Sequence, residues 1–193
     1  MKICVFGAAS NRIDSEYIRM VEILGEMMAK RGHSLVFGAG ACGLMGAAAR
    51  GVKRGGGEIF GIIPDFFRAE RIESIYSECT ELIYTDSMRT RKQAMEDMAD
   101  AFIIVPGGIG TFEEFYEVLT LKQLRRHNKP IAIYNLRNYY DSIDSLMQNA
   151  MNEGFVTREC EKLFDYFTDA EAMLQYVEEN AANPKQLQNL KEG

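Results

Sequence analysis

Ala101-Phe102-Ile103-Ile104-Val105-Pro106-Gly107-Gly108-Ile109-Gly110-Thr111-Phe112-Glu113-Glu114 runs from an unbroken apolar segment, through a glycine-rich turn, into a helical pattern. An apolar run this short, closed by Pro and Gly, reads as a strand covered on both faces. The turn that follows suits close approach of the backbone to a ligand, because glycine lacks a Cβ. Thr111 then opens a helix expected over Thr111–Arg126, with Phe112, Phe115, Tyr116, Val118, Leu119, Leu121 and Leu124 spread over more than one face. A helix apolar on that much of its girth is buried on more than one side, in a deep core or against a second copy.

The same strand–turn–helix unit repeats outward in both directions. Apolar runs fall at Ile3–Phe6, Ser34–Phe37, Glu58–Ile63, Glu81–Tyr84 and Pro130–Tyr134. Helical patterns lie between them at Glu16–Arg31 and at about 43–54, 87–99 and 138–152. Past Gly154 come a strand-like piece at Leu163–Phe167 and a helix at about 169–181, ahead of a polar tail at 183–193. This alternation predicts an α/β fold, a doubly wound and mostly parallel sheet with helices on both faces. Right-handed crossovers then gather the strand C-terminal ends along one edge, where such sheets bind ligands. No linker or repeat divides the chain, so residues 1–182 are expected to form a single α/β domain.

Composition narrows the function. The chain has 193 residues, 47% of them hydrophobic and 26% charged, with a formal net charge of −6. An acidic chain makes a poor wrapper of nucleic acid, which needs a basic footprint. One phosphate can still be held by backbone amides and a single arginine. The four cysteines, Cys4, Cys42, Cys79 and Cys160, form no C-x-x-C pair and no metal-ligand spacing, so they read as free thiols with no metal and no cofactor implied. No apolar run approaches the roughly 20 residues of a membrane helix. Met1-Lys2 leads straight into the first strand, so the cytosol is the expected compartment. The two histidines, His33 and His127, lie beside helix ends and read as surface or capping residues.

Three segments carry chemistry. Gly38-Ala39-Gly40-Ala41-Cys42-Gly43 matches G-x-G-x-x-G, with Glu58 about 20 residues on as in a dinucleotide site, but it follows the second strand, whereas that fingerprint normally follows the first. Pro106–Glu114 forms a positive pocket from amides at a helix mouth, to which Thr111 adds a hydroxyl, and it lacks the G-K-[ST] of a Walker loop. Thr111-x-x-Glu114 is equally a capping box, like Thr168-x-x-Glu171, and the residues alone leave Glu114 open between cap and catalyst. Asp86-Ser87-Met88-Arg89-Thr90-Arg91-Lys92 places three cations in a first helical turn, against the helix dipole, which an anionic ligand would account for.

The chain resembles the Lonely Guy family of cytokinin riboside 5′-monophosphate phosphoribohydrolases, often labelled lysine decarboxylases. The family's P-G-G-x-G-T-x-x-E stands intact at Pro106–Glu114, its R-K pair at Arg91-Lys92 and its G-L-M-G at Gly43–Gly46. Further matches are Gly55-Gly56-Gly57, Gly61-Ile62-Ile63-Pro64, Lys129-Pro130 and Asn138-Tyr139-Tyr140, and the resemblance spans about residues 2–156. It implies a Rossmann-like homodimer that hydrolyses the N-glycosidic bond of a nucleoside 5′-monophosphate, of the AMP or N6-prenyl-AMP type. By motif position it implies Arg91 and Glu114 as the catalytic pair and Gly107, Gly108, Gly110 and Thr111 as phosphate holders. Glu113 stands as an adjacent helper or a structural carboxylate, Met88 near the base, and Ser10 as the last serine of the first-strand turn. Three positions differ: Gly7-Ala8-Ala9-Ser10 replaces C-G-S-S, Arg89 replaces a His, and Leu121 replaces a Trp.

In such a reaction Glu114 would stabilise the oxocarbenium-like sugar and orient the attacking water. Arg91 would hold ribose or phosphate and keep Glu114 ionised, since an adjacent cation lowers a carboxylate's pKa. The alternatives are a non-catalytic nucleotide carrier and a NAD-dependent oxidoreductase. A lysine decarboxylase is not expected, because no lysine sits in an evident pyridoxal-phosphate context.

Overall fold

Strand residues with alternate side chains buried on opposite faces build a central sheet, described by a computed structural model over residues 1–70 and 74–183. The strands are β1 (Lys2–Phe6), β2 (Ser34–Phe37), β3 (Ile59–Pro64), β4 (Glu81–Thr85), β5 (Ala101–Ile104), β6 (Ile131–Tyr134) and β7 (Asp165–Phe167). Their order is β4-β3-β2-β1-β5-β6-β7, and every neighbouring pair is parallel. The helices are α1 (Ser15–Lys30), α2 (Gly43–Arg54), α3 (Asp65–Glu70), α4 (Met88–Met98), α5 (Ile109–Gln123), α6 (Asp141–Asn152) and α7 (Ala170–Ala182).

The pleat sorts the core into two layers. Ile3, Val5, Leu35, Phe37 and Ile103 pack beneath Leu24 and Met28 of α1, Leu44 and Ala48 of α2, and Leu174 and Val177 of α7. On the opposite face Cys4, Phe6, Ile62, Phe102 and Ile133 pack beneath Met95 of α4, Phe115 and Val118 of α5, and Met147 of α6. Because the winding reverses between β1 and β5, the loops after those two strands flank the switch-point crevice. The expected doubly wound α/β arrangement is thus present, with no antiparallel strand among the described sheet pairs.

Several boundaries differ from expectation. The helix expected from Thr111 begins two residues earlier at Ile109, with Gly108 as N-cap in an extended conformation. It stops at Gln123 because Arg125 turns left-handed, at φ 57°. Thr168 does not cap α7: the Asp169 carboxylate accepts from the Ala172 amide at 2.9 Å, and Glu171 instead pairs with Arg31. The capping box that does exist was not foreseen; Ser87 and Thr90 exchange bonds at the start of α4. The helix expected over 138–152 is a short 3-10 turn at Leu136–Asn138 followed by α6, and α3 carries no sequence signal of its own. His33 is not a surface residue: it is 7% exposed, with Nε2 2.7 Å from Glu178 Oε1. His127 sits near an α5 carbonyl, Val118 O, at 2.9 Å, and burial pulls its pKa down to about 4. No described helix is long and apolar enough to cross a membrane. Beyond Asn183 the polar tail lies outside the described residues.

Candidate active site

The glycine turn after β5 is held from behind. Val105 O accepts from Tyr140 Oη at 2.9 Å, Pro106 O from Ala8 N at 3.0 Å, Gly107 O from Tyr139 Oη at 2.6 Å, and Gly108 O from Phe112 N at 3.0 Å. The carbonyls are therefore spent inward. The amides of Gly108, Ile109, Gly110 and Thr111 have no acceptor among the described residues, which leaves at the mouth of α5 the free donors and positive dipole end that suit an anion. A Cβ at Gly108 or Gly110 would meet nothing within 4 Å, and Ile109 is 87% exposed. Gly107 is different, since a Cβ there would overlap the Thr111 side chain, which packs down on it.

The helix start two residues upstream of Thr111 settles one ambiguity left by the sequence. Thr111 is the third residue of α5 rather than its N-cap, so Thr111 and Glu114 form no capping box. Glu114 lies one turn further in, partly buried, and among the described residues it forms no ion pair. Burial pushes its pKa up to about 7; Arg91 pulls it back down, while Glu113 and Glu117 add to the rise and Lys92 opposes it. That reverses the sense expected from Arg91 alone, because desolvation of a carboxylate outweighs a cation that does not touch it.

Arg91 is 5% exposed. From the first turn of α4 it reaches across the ends of β3 and β2, donating through Nε to Ile62 O at 3.1 Å and through Nη2 to Gly38 O at 3.3 Å. Gly38 is small to admit it; a Cβ there would overlap Nη2. Met88 Sδ lies 3.7 Å from Nη1, and Met88 is 39% exposed at the same edge. A buried guanidinium whose hydrogen-bond partners among the described residues are all neutral retains unmatched charge, which favours an anion nearby.

The three cations of this segment diverge. Lys92 pairs with Glu113 and, at 2.6 Å, with Glu117, tying α4 to α5 and fixing the helix faces that carry Arg91 and Glu114. Arg89 points elsewhere, into a cavity of about 400 Å³ with Glu96, Glu117, His127 and Lys129. Glu113 is exposed and spent on Lys92, and Ser10 is exposed, its hydroxyl accepting from Arg12 N at 3.1 Å. Tyr139 and Tyr140 belong to none of the three chemistry-bearing segments; their place just past the C-terminal end of β6 is the sequence signal that marks them.

The first glycine segment is closed. At the start of α2, Gly43 N donates to Asn11 Oδ1 at 2.8 Å, Leu44 N to Ala8 O at 2.8 Å and Met45 N to Ala8 O at 3.3 Å. Glu58 is exposed and takes the Ser34 hydroxyl at 3.2 Å. The mouth that a dinucleotide would use is occupied by the protein itself.

The family described as "Possible lysine decarboxylase" matches residues 45–177. The chain is 36% identical over 190 residues to a probable cytokinin riboside 5′-monophosphate phosphoribohydrolase of Oryza sativa subsp. japonica, covering 98% of this chain and 76% of the relative. It is 39% identical over 155 residues to a cytokinin riboside 5′-monophosphate phosphoribohydrolase of Rhodococcoides fascians, covering 80% and 78%. The fold is shared with the molybdenum cofactor carrier protein MCP from Chlamydomonas reinhardtii, at TM-score 0.69 and 19% identity over 94% of this chain and 98% of that one.

Proposed function

The chain belongs to the cytokinin riboside 5′-monophosphate phosphoribohydrolase family, and on that premise we propose that it hydrolyses the N-glycosidic bond of a nucleoside 5′-monophosphate of the AMP or N6-prenyl-AMP type. The products are the free base and ribose 5-phosphate. The observation that carries this reading is the mouth of α5, where four amides have no acceptor among the described residues and a desolvated carboxyl lies one turn behind them.

In this reading the amides of Gly108, Ile109, Gly110 and Thr111 grip the phosphate, and the bare surface at Gly108 and Gly110 lets it approach. Glu114 stands near the anomeric carbon. As a carboxylate it offsets the positive charge that develops on the sugar and orients water. Arg91 supplies the fixed positive field that draws the phosphate in and favours the ionised form of Glu114 as substrate arrives. Met88 lines the base side.

A Schiff-base lysine decarboxylase is the poorer reading. Such chemistry wants a lysine whose pKa is depressed. Burial pulls Lys92 down, but its bonds to Glu113 and Glu117 outweigh that and raise it. Leu124, the C-cap of α5 at the far end of that helix from the glycine turn, exposes 44% of its surface, which a second copy would cover. A homodimer is therefore part of the proposal, as are a single nucleotide-binding unit over 1–182 and a cytosolic setting. Light scattering is expected to return twice the chain mass.

The decisive experiment incubates the protein with a panel of nucleoside 5′-monophosphates and reads free base and ribose 5-phosphate by chromatography. Base release from an adenine nucleotide is expected. Tight binding across the panel with no base released would favour a carrier instead.

A further inference from the structure

We propose that Tyr139 is a positioning residue: its hydroxyl, by holding Gly107 O, aims the amide of Gly108 at the substrate's phosphate. The proposal rests on the reading of the α5 mouth as the phosphate site.

The argument starts from the peptide plane. In a trans peptide the carbonyl of one residue and the N–H of the next point in opposite directions. Fixing Gly107 O therefore fixes Gly108 N–H. The 107–108 peptide lies between two glycines, the residue type with the least steric resistance to rotation about φ and ψ. A flip there would turn a carbonyl outward and present an acceptor, with its partial negative charge, to an anion. The neighbouring carbonyls are not at this risk. Pro106 O is held by the backbone amide of Ala8, and Gly108 O by the first helical bond, from Phe112 N. Val105 O is held by the buried Tyr140 hydroxyl and precedes a proline that has no N–H to aim. Gly107 O depends on one side chain, at 2.6 Å.

Tyr139 is brought to that carbonyl by an unusual piece of chain. Arg137 and Asn138 are both left-handed, at φ 53° and 61°, in the loop after β6. Non-glycine residues in that region cost on the order of 1 kcal/mol each. The turn they make sets the Tyr139 ring edge-on to Tyr17 at 6.4 Å and to Tyr140 at 5.0 Å. Arg137 anchors the loop to Asp14 at 2.6 Å and lies over Tyr17 at 5.2 Å. The loops after β1 and β6 thus meet around the β5 turn, and what they deliver to it from the β6 side is two phenolic hydroxyls.

Tyr139→Phe keeps the ring and removes only the hydroxyl, at a residue that is 42% exposed. Isothermal titration of wild type and variant with AMP, ribose 5-phosphate and adenosine tests the proposal. The two phosphate-bearing ligands should bind the variant about tenfold more weakly, the scale of one lost hydrogen bond. Adenosine, which has no phosphate, should bind it as it binds the wild type, and kcat at saturating AMP should hold within about threefold, since ground-state and transition-state binding are lost together. Tyr17→Leu, which loosens the ring packing but leaves the Tyr139 hydroxyl present, should weaken ribose 5-phosphate by a smaller factor than Tyr139→Phe does. Equal ribose 5-phosphate affinity in wild type and Tyr139→Phe would overturn the proposal. So would weakening of adenosine by the same factor, or a Tyr17→Leu effect as large. A wild type that binds ribose 5-phosphate but releases no base would instead overturn the hydrolase reading and leave the Tyr139 test standing.

Discussion

The chain makes a glycine-rich turn into a helix twice, after β2 at Gly38–Gly46 and after β5 at Pro106–Thr111, and the protein uses the two in opposite ways. In the first, the glycines serve packing. Gly43 is left-handed at φ 59° and a Cβ there would overlap Ala8 O, while Gly38 gives its space to the Arg91 guanidinium. The amides at the α2 mouth are spent on Ala8 O and Asn11 Oδ1. In the second, Gly108 and Gly110 touch nothing that would exclude a methyl group, and the amides at the α5 mouth are unspent. A glycine that the fold does not need is better evidence for a ligand than one that it does.

The largest expected effect lies one turn beyond the open mouth. Glu114→Gln should lower base release by at least about 100-fold, the scale of a lost general base or charge stabiliser, with AMP still bound. The same substitution should stabilise the ligand-free protein at alkaline pH. A carboxyl whose folded pKa is raised from 4.5 to about 7 favours the folded state fully below the unfolded value, and that advantage is lost as pH rises through 7. Urea unfolding at pH 8 should thus show the Gln variant more stable by on the order of 2 kcal/mol, with the difference gone near pH 4. A variant that loses activity and gains no stability at pH 8 would mean that Glu114 is not desolvated in solution.

A pair of alanine substitutions tests the contrast between the turns directly. Gly43→Ala should cost about 3 kcal/mol in urea unfolding, from left-handed strain and a backbone overlap that cannot relax. Gly110→Ala should leave stability unchanged or raise it by up to about 1 kcal/mol, because alanine is the better helix former. Its methyl group would nonetheless stand where the phosphate approaches, and AMP affinity should fall about tenfold, or about 1.4 kcal/mol. Equal stability losses at both positions would erase the distinction between a packing glycine and a binding glycine.

The sequence carried the strand–helix alternation and the two glycine turns, because burial period and glycine content are local properties of the chain. It could not say which turn was open. That depends on Ala8 and Asn11, which reach Gly43, Leu44 and Met45 from more than 30 residues away in the chain. The helix start at Ile109 was missed for a related reason. Thr111 looks like an N-cap, but its side chain packs on Gly107, and Gly108 takes the cap position in extended backbone. The Glu114 pKa was expected to fall beside Arg91. It rises because burial of the carboxyl outweighs the pull of Arg91, which spends its donors on Ile62 O and Gly38 O and stays out of contact. Likewise Asp169 outcompeted Thr168 for the α7 cap, since its carboxylate reaches the Ala172 amide and Glu171 is drawn to Arg31.

The smallest expected effect concerns Glu58, which the G-x-G-x-x-G spacing offers as a ribose partner for a dinucleotide. For that role the pyrophosphate must sit on the α2 mouth, but three amides there already have acceptors from the loop after β1, and a bound phosphate would have to displace the Ala8 carbonyl that also anchors that loop. Ala8 also donates through its own amide to Pro106 O, so the residue to be moved is tied to the other turn as well. Among the described residues the Glu58 carboxylate holds the Ser34 hydroxyl alone, in solvent, and such surface contacts contribute little. Glu58→Ala should therefore shift urea unfolding by less than about 0.5 kcal/mol. A fluorescence titration with NADH should show no saturable binding in either protein. Saturable NADH binding that disappears in Glu58→Ala would reopen the closed mouth and place a second nucleotide site on this sheet edge.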